Sequence, residues 1–454
     1  MDDATVVTFK RLLTLGALIA FGYLVVTLDA PAHHRTTATV LLGFILLVAY
    51  IAGAAAAGFT LPRVTGYVLV GIVVGPYALG IFTEELVDSL RTIDELALAL
   101  IALTAGGELK MEEIRKSLRS IVGMSFGIVG FVVLGVMALV LAAKPVVPLL
   151  ADAGWGLVIA QALLLAIWAA NSSPDATIAV INESGADGKV TDTILGVTIF
   201  KDVVVIVLFA VGLSVAGPLA GAAAFDPGLI GVVAWEVVGA FLVGGVLGWA
   251  FSLYLVRNPR QTVLVTLLFA YTIVLVSHAV HVELLLTAVG AGFVIENFSE
   301  AGDRFIKGIE ANSLVVFAIF FALAGAALDL GTVAAYWSIA AVIVVVRGVL
   351  TWAGASAGAR LTGASRPVVR LGWMGLISQA GVTLGLSLLV AREFPGWGDQ
   401  FVAITTAVII VHLLVGPVLL KVALTRAGEA GGGGHGRSKR EMLRSDIVAE
   451  QKAT

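Results

Sequence analysis

The chain has 454 residues, of which 59% are hydrophobic and 13% charged, and its formal net charge is −3. Together with a mean hydropathy of +1.03, this composition excludes a soluble globular protein and indicates a polytopic helical membrane protein. The nearly balanced charge gives no sign of a nucleic-acid partner. The sequence has no cysteine, which excludes disulfides, thiolate metal sites and thiol catalysis.

Apolar runs of about 20 residues predict about fourteen membrane-spanning segments. The first, near residues 11–28, follows Lys10 and Arg11 and has no small-residue cleavage pattern after it. We therefore interpret residues 1–37 as an extra N-terminal transmembrane helix and not as a secretory signal. The other thirteen segments lie near residues 38–58, 62–82, 94–110, 118–145, 156–183, 190–217, 229–256, 260–280, 283–297, 305–329, 335–359, 367–391 and 399–425.

Lys and Arg residues between these segments are crowded onto one face of the membrane. The opposite face carries only Arg35, Arg91, Lys144 and Arg392. The positive-inside rule makes the crowded face cytoplasmic, and an even number of segments places both termini on it. We expect a multi-pass protein of a prokaryotic inner membrane that ends in a flexible, glycine-rich and basic cytoplasmic tail, residues 427–454.

Polar residues interrupt two consecutive segments in the first half of the chain. The first is broken in its middle by Asn171, Ser172, Ser173, Pro174 and Asp175. The next carries adjacent charged residues, Lys201 and Asp202. An ionisable group at the bilayer centre costs about 2.5–3.5 kcal/mol on insertion scales, and a proline frees polar backbone that must face a cavity or another helix. The stretch therefore predicts a transport site.

The second half of the chain repeats this arrangement. A segment containing Arg347 precedes one interrupted by Ser378, Gln379, Ala380 and Gly381, and a final segment follows. Paired interrupted helices in two halves are typical of secondary transporters with inverted repeats, in which the broken helices direct both dipole ends at one point. The sequence predicts an all-α fold with two crossing discontinuous helices and a site at the crossing.

Five short motifs occur in order along the chain. They are LPRVTGY at 61–67 with Gly71, Gly75 and Pro76; LTAGGEL at 103–109; FFALAG at 320–325 with LDL at 328–330; Arg347; and Gln379 to Gly381. This pattern resembles the monovalent cation:proton antiporter superfamily, which has the sodium/hydrogen exchanger fold. The resemblance is strongest to the Kef-type members of the cation:proton antiporter-2 branch.

The resemblance implies an elevator-type transporter, usually a homodimer, within a membrane domain at residues 38–426. Its core helices would lie near 118–217 and 335–425, and its dimerisation helices near 38–111 and 229–329. It also implies that Asp202 carries either a proton or a cation, never both. The chain departs from the family pattern at Lys201, where Asn, Asp or Gln is usual. Ser172 and Ser173 replace a common Thr-Asp pair, with Asp175 two positions on.

The roles of the charged residues leave alternatives open. Asp202 is the carrier carboxylate or a structural acid neutralised by Arg347 or Lys201. Lys201 and Asp202 point about 100° apart on a helix, so we expect Lys201 to pair with Asp175. Lys201 would be a fixed counter-charge or a participant in proton coupling. Arg347 is interpreted as an electrostatic anchor for the crossing helices.

The uncharged polar residues also allow two interpretations. Asn171, Ser172, Ser173 and Gln379 supply oxygens to a dehydrated cation or cap the broken helices. We interpret His278, His281 and Glu283 as solvated residues of an external loop. The expected metal is therefore only the transported cation.

We expect a proton-coupled antiporter for K⁺ or Na⁺, and neither an enzyme nor a protein with a cofactor. Because no phosphate-binding loop is found, ATP-driven transport is not expected. One alternative is a proton-coupled anion transporter that uses Lys201 and Arg347. A second is a channel or sensor that does not transport.

Overall fold

The computed structural model describes residues 3–28, 34–147, 153–221, 228–257, 263–300 and 313–431, with Gly302, Phe305 and Ile309 between the last two ranges. All regular secondary structure in these ranges is helical. Most of the predicted tail, residues 432–454, lies outside the described residues. The prediction of an all-α polytopic protein is confirmed.

The first half of the chain contains α1 Asp3–Leu28, α2 His34–Gly58, α3 Arg63–Val74, α4 Glu84–Ser89, α5 Arg91–Glu108, α6 Met111–Ala143, α7 Trp155–Ala169, α8 Pro174–Ser184 and α9 Lys189–Leu219. The second half contains α10 Gly228–Arg257, α11 Val263–Val280, α12 Leu284–Phe298, α13 Ser313–Ala326, α14 Leu330–Leu361, α15 Arg366–Leu371, a 3₁₀ helix Gly372–Leu376, α16 Gly381–Glu393 and α17 Gly398–Ala427.

Each of the predicted segments overlaps at least one of these helices. By length and composition alone, six helical stretches of the described chain are able to cross a membrane, and five shorter helices are also apolar. The short helix α4 was not predicted. Its six residues include Glu84, Glu85 and Asp88, so no apolar run marks it.

The two predicted breaks are present. At the first, α7 ends at Ala169, Ser173 is extended, and Pro174 begins α8, the helix position where a missing N–H costs least. At the second, the 3₁₀ helix ends at Leu376 and α16 starts at Gly381 after Ala380, whose φ is −155°. Each break leaves one helix C-terminus and one helix N-terminus inside the protein.

Helices α6 and α14, which open the two repeats, pack directly on each other through glycines. Gly123 and Gly127 of α6 face Gly358 and Gly354 of α14, and a Cβ added at Gly354 would lie 2.5 Å from the Gly127 carbonyl oxygen. Glycines spaced four apart let helix backbones approach closely in membranes. This contact holds the two repeats together on the side of the breaks.

The helices pack in two groups. Helices α6 to α9 and α14 to α17 form a core group, while α2, α3, α5 and α10 to α13 form a scaffold group. One contact between the groups is an apolar cluster that joins Ile206 of α9 to Val237, Ala240, Val282 and Leu286. Its residues are branched or small and carry no polar atom in their side chains, so it contains no directional bond that fixes one register.

A second contact between the groups is polar. Glu183 of α8 accepts a hydrogen bond from the Arg63 backbone N–H of α3 at 2.7 Å. Lys421 of α17 lies 3.6 Å from the Glu183 carboxylate and donates to the Leu61 carbonyl at 3.0 Å. An anion at a helix N-terminus and a cation on a free carbonyl are both favourable, so this contact holds the observed arrangement of the two groups.

The chain beyond α17 returns to the start of α9. The Glu429 carboxylate accepts hydrogen bonds from the backbone N–H groups of Val190 at 2.9 Å and Thr191 at 2.8 Å. It also accepts one from the Thr191 hydroxyl at 2.8 Å. The first N–H groups of a helix have no partner within the helix. Glu429 therefore completes the N-terminus of α9 from the far end of the chain.

Candidate functional site

The two breaks meet in the middle of the core group. The Ser173 N–H donates to the Ser378 carbonyl at 2.8 Å, which joins the breaks through their backbones. The residues of both breaks and of the adjacent α9 and α14 positions are at most 3% exposed. They are Asn171, Ser172, Ser173, Asp175, Lys201, Asp202, Arg347, Ser378 and Gln379. The predicted crossing of two discontinuous helices is confirmed.

Arg347 joins the C-terminal ends at both breaks. Its Nε donates to the Ala169 carbonyl at 2.7 Å and its Nη2 to the Asn171 carbonyl at 2.5 Å, both at the end of α7. Its Nη1 donates to the Ile377 carbonyl at 2.7 Å, just beyond the 3₁₀ helix. These carbonyls have no intrahelical partner. The positive guanidinium lies at the negative dipole ends of both helices, which is a favourable interaction.

Lys201 is fully buried, and its Nζ donates to the Ala170 carbonyl at 2.6 Å. Lys201 is therefore a second side-chain donor at the C-terminus of α7. The expected Lys201–Asp175 pair is absent, because Asp175 is hydrogen-bonded to the Ser173 hydroxyl instead. Lys201 reaches a carbonyl that the break leaves free, and this interaction replaces the predicted ion pair.

Asp202 lies one position further along α9 and is 1% exposed. Its carboxyl lies beside Asn171 and within electrostatic range of Lys201, Asp175 and Glu283. Among the residues that the structure describes, no Lys or Arg nitrogen lies within 4 Å of it. One of its oxygens, Oδ1, is buried without a hydrogen-bond partner. Neither Arg347 nor Lys201 therefore forms a direct ion pair with Asp202, and the choice between a carrier carboxylate and a structural acid stays a prediction.

Several other oxygens near the breaks are also buried without a partner. These atoms are Ser172 Oγ, Asp175 Oδ2 and Ser378 Oγ. A buried polar atom without a partner is costly; a proton removes that cost for a carboxylate oxygen, and a hard cation removes it for any carboxylate or hydroxyl oxygen that it contacts. The donor set at the crossing is therefore oxygen-rich, as a site for a transported alkali cation or proton requires.

Gln379 does not have the orientation that a cation ligand needs. Its Oε1 lies 2.8 Å from Nδ1 of His412, and its Nε2 donates to the Asn171 carbonyl at 3.4 Å. His412 of α17 is 1% exposed, and sequence reasoning missed it. The only available signal was a lone histidine in the apolar run IIVHLLV. Gly381, the other predicted residue here, is the first residue of α16.

The external loop before α12 differs in part from its interpretation as solvated. His278 and His281 are exposed, and His278 lies 3.2 Å from Glu95. Glu283 is half-buried, caps α12 by accepting from the Leu286 N–H at 2.6 Å, and lies within electrostatic range of Asp202. No group of three or more His, Asp or Glu residues within the described ranges is arranged to hold a metal ion.

Comparison with known proteins is consistent with this geometry. The probable Na⁺/H⁺ antiporter GerT of Bacillus cereus is 25% identical over 356 residues, covering 75% of this chain and 87% of the relative. The Na⁺/H⁺-K⁺ antiporter GerN of the same organism is 25% identical over 399 residues, covering 83% and 94%. The solved structure of the sodium proton antiporter MjNhaP1 from Methanocaldococcus jannaschii has a TM-score of 0.63 at 15% identity, covering 86% of this chain and 96% of that chain.

The solved structure shares the fold seen here. A family model described as sodium/hydrogen exchanger, transmembrane, matches residues 13–426, from the first helix to the end of α17. Because that match includes both breaks, Asp202 and Arg347, the chain belongs to the sodium/hydrogen exchanger family.

Proposed function

We propose that this protein is a secondary antiporter of a prokaryotic inner membrane that exchanges a monovalent cation, Na⁺ or K⁺, for protons. Its relatives carry the names of Na⁺/H⁺ and Na⁺/H⁺-K⁺ antiporters. One observation carries the proposal furthest. Asp202 is buried at the crossing of two broken helices, has an unpartnered oxygen, and has no direct ion pair within the described chain.

In this proposal Asp202 is the carrier carboxylate. A single carboxylate oxygen binds a proton or coordinates a hard cation, and the two compete for the same lone pairs. Ser172 and Asp175 supply further oxygens that are buried without partners. Binding of a cation therefore displaces the proton, and binding of a proton displaces the cation, which is the requirement for obligatory exchange.

We further propose an elevator movement of the core group against the scaffold group, with the scaffold group forming a homodimer. The apolar cluster between Ile206 and Val237, Ala240, Val282 and Leu286 supports this movement, because it contains no directional bonds. The contact of Glu183 with Arg63 and Lys421 would break and re-form in each cycle. The positive-inside rule places that contact on the cytoplasmic face.

The alternative of anion transport has less support from the geometry. Each side-chain nitrogen of Lys201 and Arg347 already donates to a carbonyl at the crossing, namely those of Ala169, Ala170, Asn171 and Ile377. The oxygens of Ser172, Asp175 and Asp202 are the atoms without partners. This arrangement favours a positively charged substrate.

The test is cation-driven proton movement in proteoliposomes, followed with a pH-sensitive dye as Na⁺, K⁺ or Li⁺ is added. We expect Asp202→Asn to abolish the signal, because an amide neither carries a proton nor neutralises a cation. Asp399→Asn is the matched control, since Asp399 is exposed in the first turn of α17. Undiminished exchange in Asp202→Asn would overturn the assignment, and absence of any gradient-driven proton flux in the wild type would favour a channel or sensor.

Lys201→Gln separates cation exchange from anion transport. A cation exchanger should retain cation-driven proton movement, because the glutamine amide still donates to the Ala170 carbonyl that Lys201 now contacts. An anion transporter should lose substrate binding with the positive charge. The variant is compared with wild type in the same dye assay, with chloride replaced by gluconate in a parallel series.

A further inference from the structure

His412 and the Asn171 carbonyl together hold the Gln379 amide in one of its two possible orientations. Gln379 Nε2 faces the Asn171 carbonyl, which is an acceptor, and its Oε1 faces His412 Nδ1 at 2.8 Å. A flipped amide would place two oxygens against each other at Asn171. The Asn171 carbonyl therefore faces the amide nitrogen of Gln379 and not its oxygen. Gln379 Oε1 then faces His412, so Nδ1 of His412 must carry the hydrogen that this oxygen accepts.

The other ring nitrogen confirms this tautomer. Nε2 of His412 is buried and has no hydrogen-bond partner in the part of the chain that the structure describes. A hydrogen on Nε2 would be a buried donor without an acceptor, which is more costly than an unused lone pair. The neutral ring with its hydrogen on Nδ1 is the form that satisfies the most groups at this position.

The contact between Gln379 and His412 affects the transport site through Asn171 of the first break. The Asn171 carbonyl that receives Gln379 also receives Arg347, and the Asn171 side chain lies beside Asp202. The backbone carbonyl of Asn171 is therefore held by Gln379 of the second break, while the side-chain amide of Asn171 faces the carboxylate of Asp202. In this arrangement Gln379 presents a donor to the crossing, and its oxygen is directed away towards α17.

The backbone of α17 supports the same contact one turn further on. Gly416 packs against the second break, where an added Cβ would lie 2.7 Å from the Ser378 Cα. Because Gly416 is four residues after His412, the two lie on one face of α17. That face therefore holds both the backbone and the amide of the second break in place.

We propose that His412 is a positioning residue that sets the ion preference of the site by keeping the Gln379 oxygen out of it. The number and strength of oxygen dipoles around an alkali cation govern discrimination between Na⁺ and K⁺. Without the His412 contact the Gln379 side chain is free to leave the Asn171 carbonyl, which brings its oxygen to the crossing and loosens Asn171. The inference rests on the proposed antiport and concerns which residues tune it.

The test compares five variants, including Gln379→Leu alone, by the ratio of apparent KM for Na⁺ and K⁺ in proteoliposomes. We expect His412→Leu to change this ratio by about 2- to 12-fold, the factor that corresponds to one net hydrogen bond, with a smaller change in maximal rate. His412→Asn places an amide nitrogen where Nδ1 lies and should restore the wild-type ratio. His412→Gln places its amide one bond further out and should not. His412→Leu in a Gln379→Leu background should add no further change.

Several outcomes overturn the proposal. They are a wild-type ratio in both His412→Leu and His412→Gln, equal restoration by the Asn and Gln variants, or additive effects of His412→Leu and Gln379→Leu. If His412→Leu does not fold, the Asn and Gln variants decide, since both are polar. Stabilisation of the detergent-solubilised protein against heat by Na⁺ or K⁺ gives the same affinity ratio without transport. If the wild type binds Na⁺ or K⁺ but does not exchange them for protons, the proposed function is refuted and the inference about His412 is not.

Discussion

Replacing Arg347 should be among the most destabilising changes available in the core group. Its guanidinium donates to three carbonyls at 2.5–2.7 Å, and the side chain is 1% exposed. Hydrogen bonds to a charged group contribute about 1.5–3 kcal/mol each, and the burial of the charge offsets several kcal/mol of their sum. Removing the guanidinium leaves three carbonyls buried and unsatisfied at about 1–3 kcal/mol each, so a net cost of about 3–5 kcal/mol is expected once the cost of burying the charge is recovered.

Arg347→Met keeps most of the aliphatic volume and removes all three donors. We expect it to lower the free energy of unfolding by about 3–5 kcal/mol, measured by reversible unfolding in SDS-containing mixed micelles with tryptophan fluorescence. Arg347→Lys, with one ammonium, should fall between Met and wild type. Arg360→Met is the matched control on α14, because Arg360 is exposed in its last turn, and it should cost about 0.5 kcal/mol. Equal stabilities of Arg347→Met and Arg360→Met would refute the reasoning.

Three further changes test the packing around the site. Gly358→Leu should destabilise the α6–α14 contact by about 1–3 kcal/mol, whereas Gly348→Ala on the same helix meets no atom within 4 Å and should leave thermal stability unchanged. Glu183→Ala should speed hydrogen exchange at the Arg63 amide about tenfold, the effect of losing one strong hydrogen bond; unchanged exchange would show that the contact is not maintained in the membrane protein. Glu429→Ala should lower stability by about 0.5–2 kcal/mol through loss of an N-terminal cap, with faster exchange at Val190 and Thr191, and Glu429→Gln should retain most of both.

The fold could be predicted from the sequence because the polar residues that interrupt its apolar segments are confined to short stretches. Pro174 and the polar residues beside it interrupt one segment, and Gln379 to Gly381 interrupt its counterpart, so both breaks were predictable from helix physics. The superfamily prediction is confirmed by a family match over residues 13–426. The Kef-type branch, the domain roles, the homodimer and the individual site residues stay predictions.

Three features of the site could not be obtained from the sequence. Lys201 was expected to pair with an acid, but helix geometry gives the direction of a side chain and does not show that a break leaves the Ala170 carbonyl free. Glu283 lies at a segment boundary, and only the packing of α12 brings it within electrostatic range of Asp202. His412 contacts a residue 33 positions away, and no periodicity within its own helix marks that contact.

The bonds of Arg347 and Lys201 to core-group carbonyls also bear on membrane voltage. Both side chains are fixed to the backbone of the core group, so in the proposed elevator movement they would travel with it in each direction and add the same charge to both legs of a cycle. If Asp202 is loaded either with one proton or with one monovalent cation, the moving body carries the same total charge both ways. A clamped membrane potential should therefore act equally on the outward and inward steps and drive no net exchange by itself.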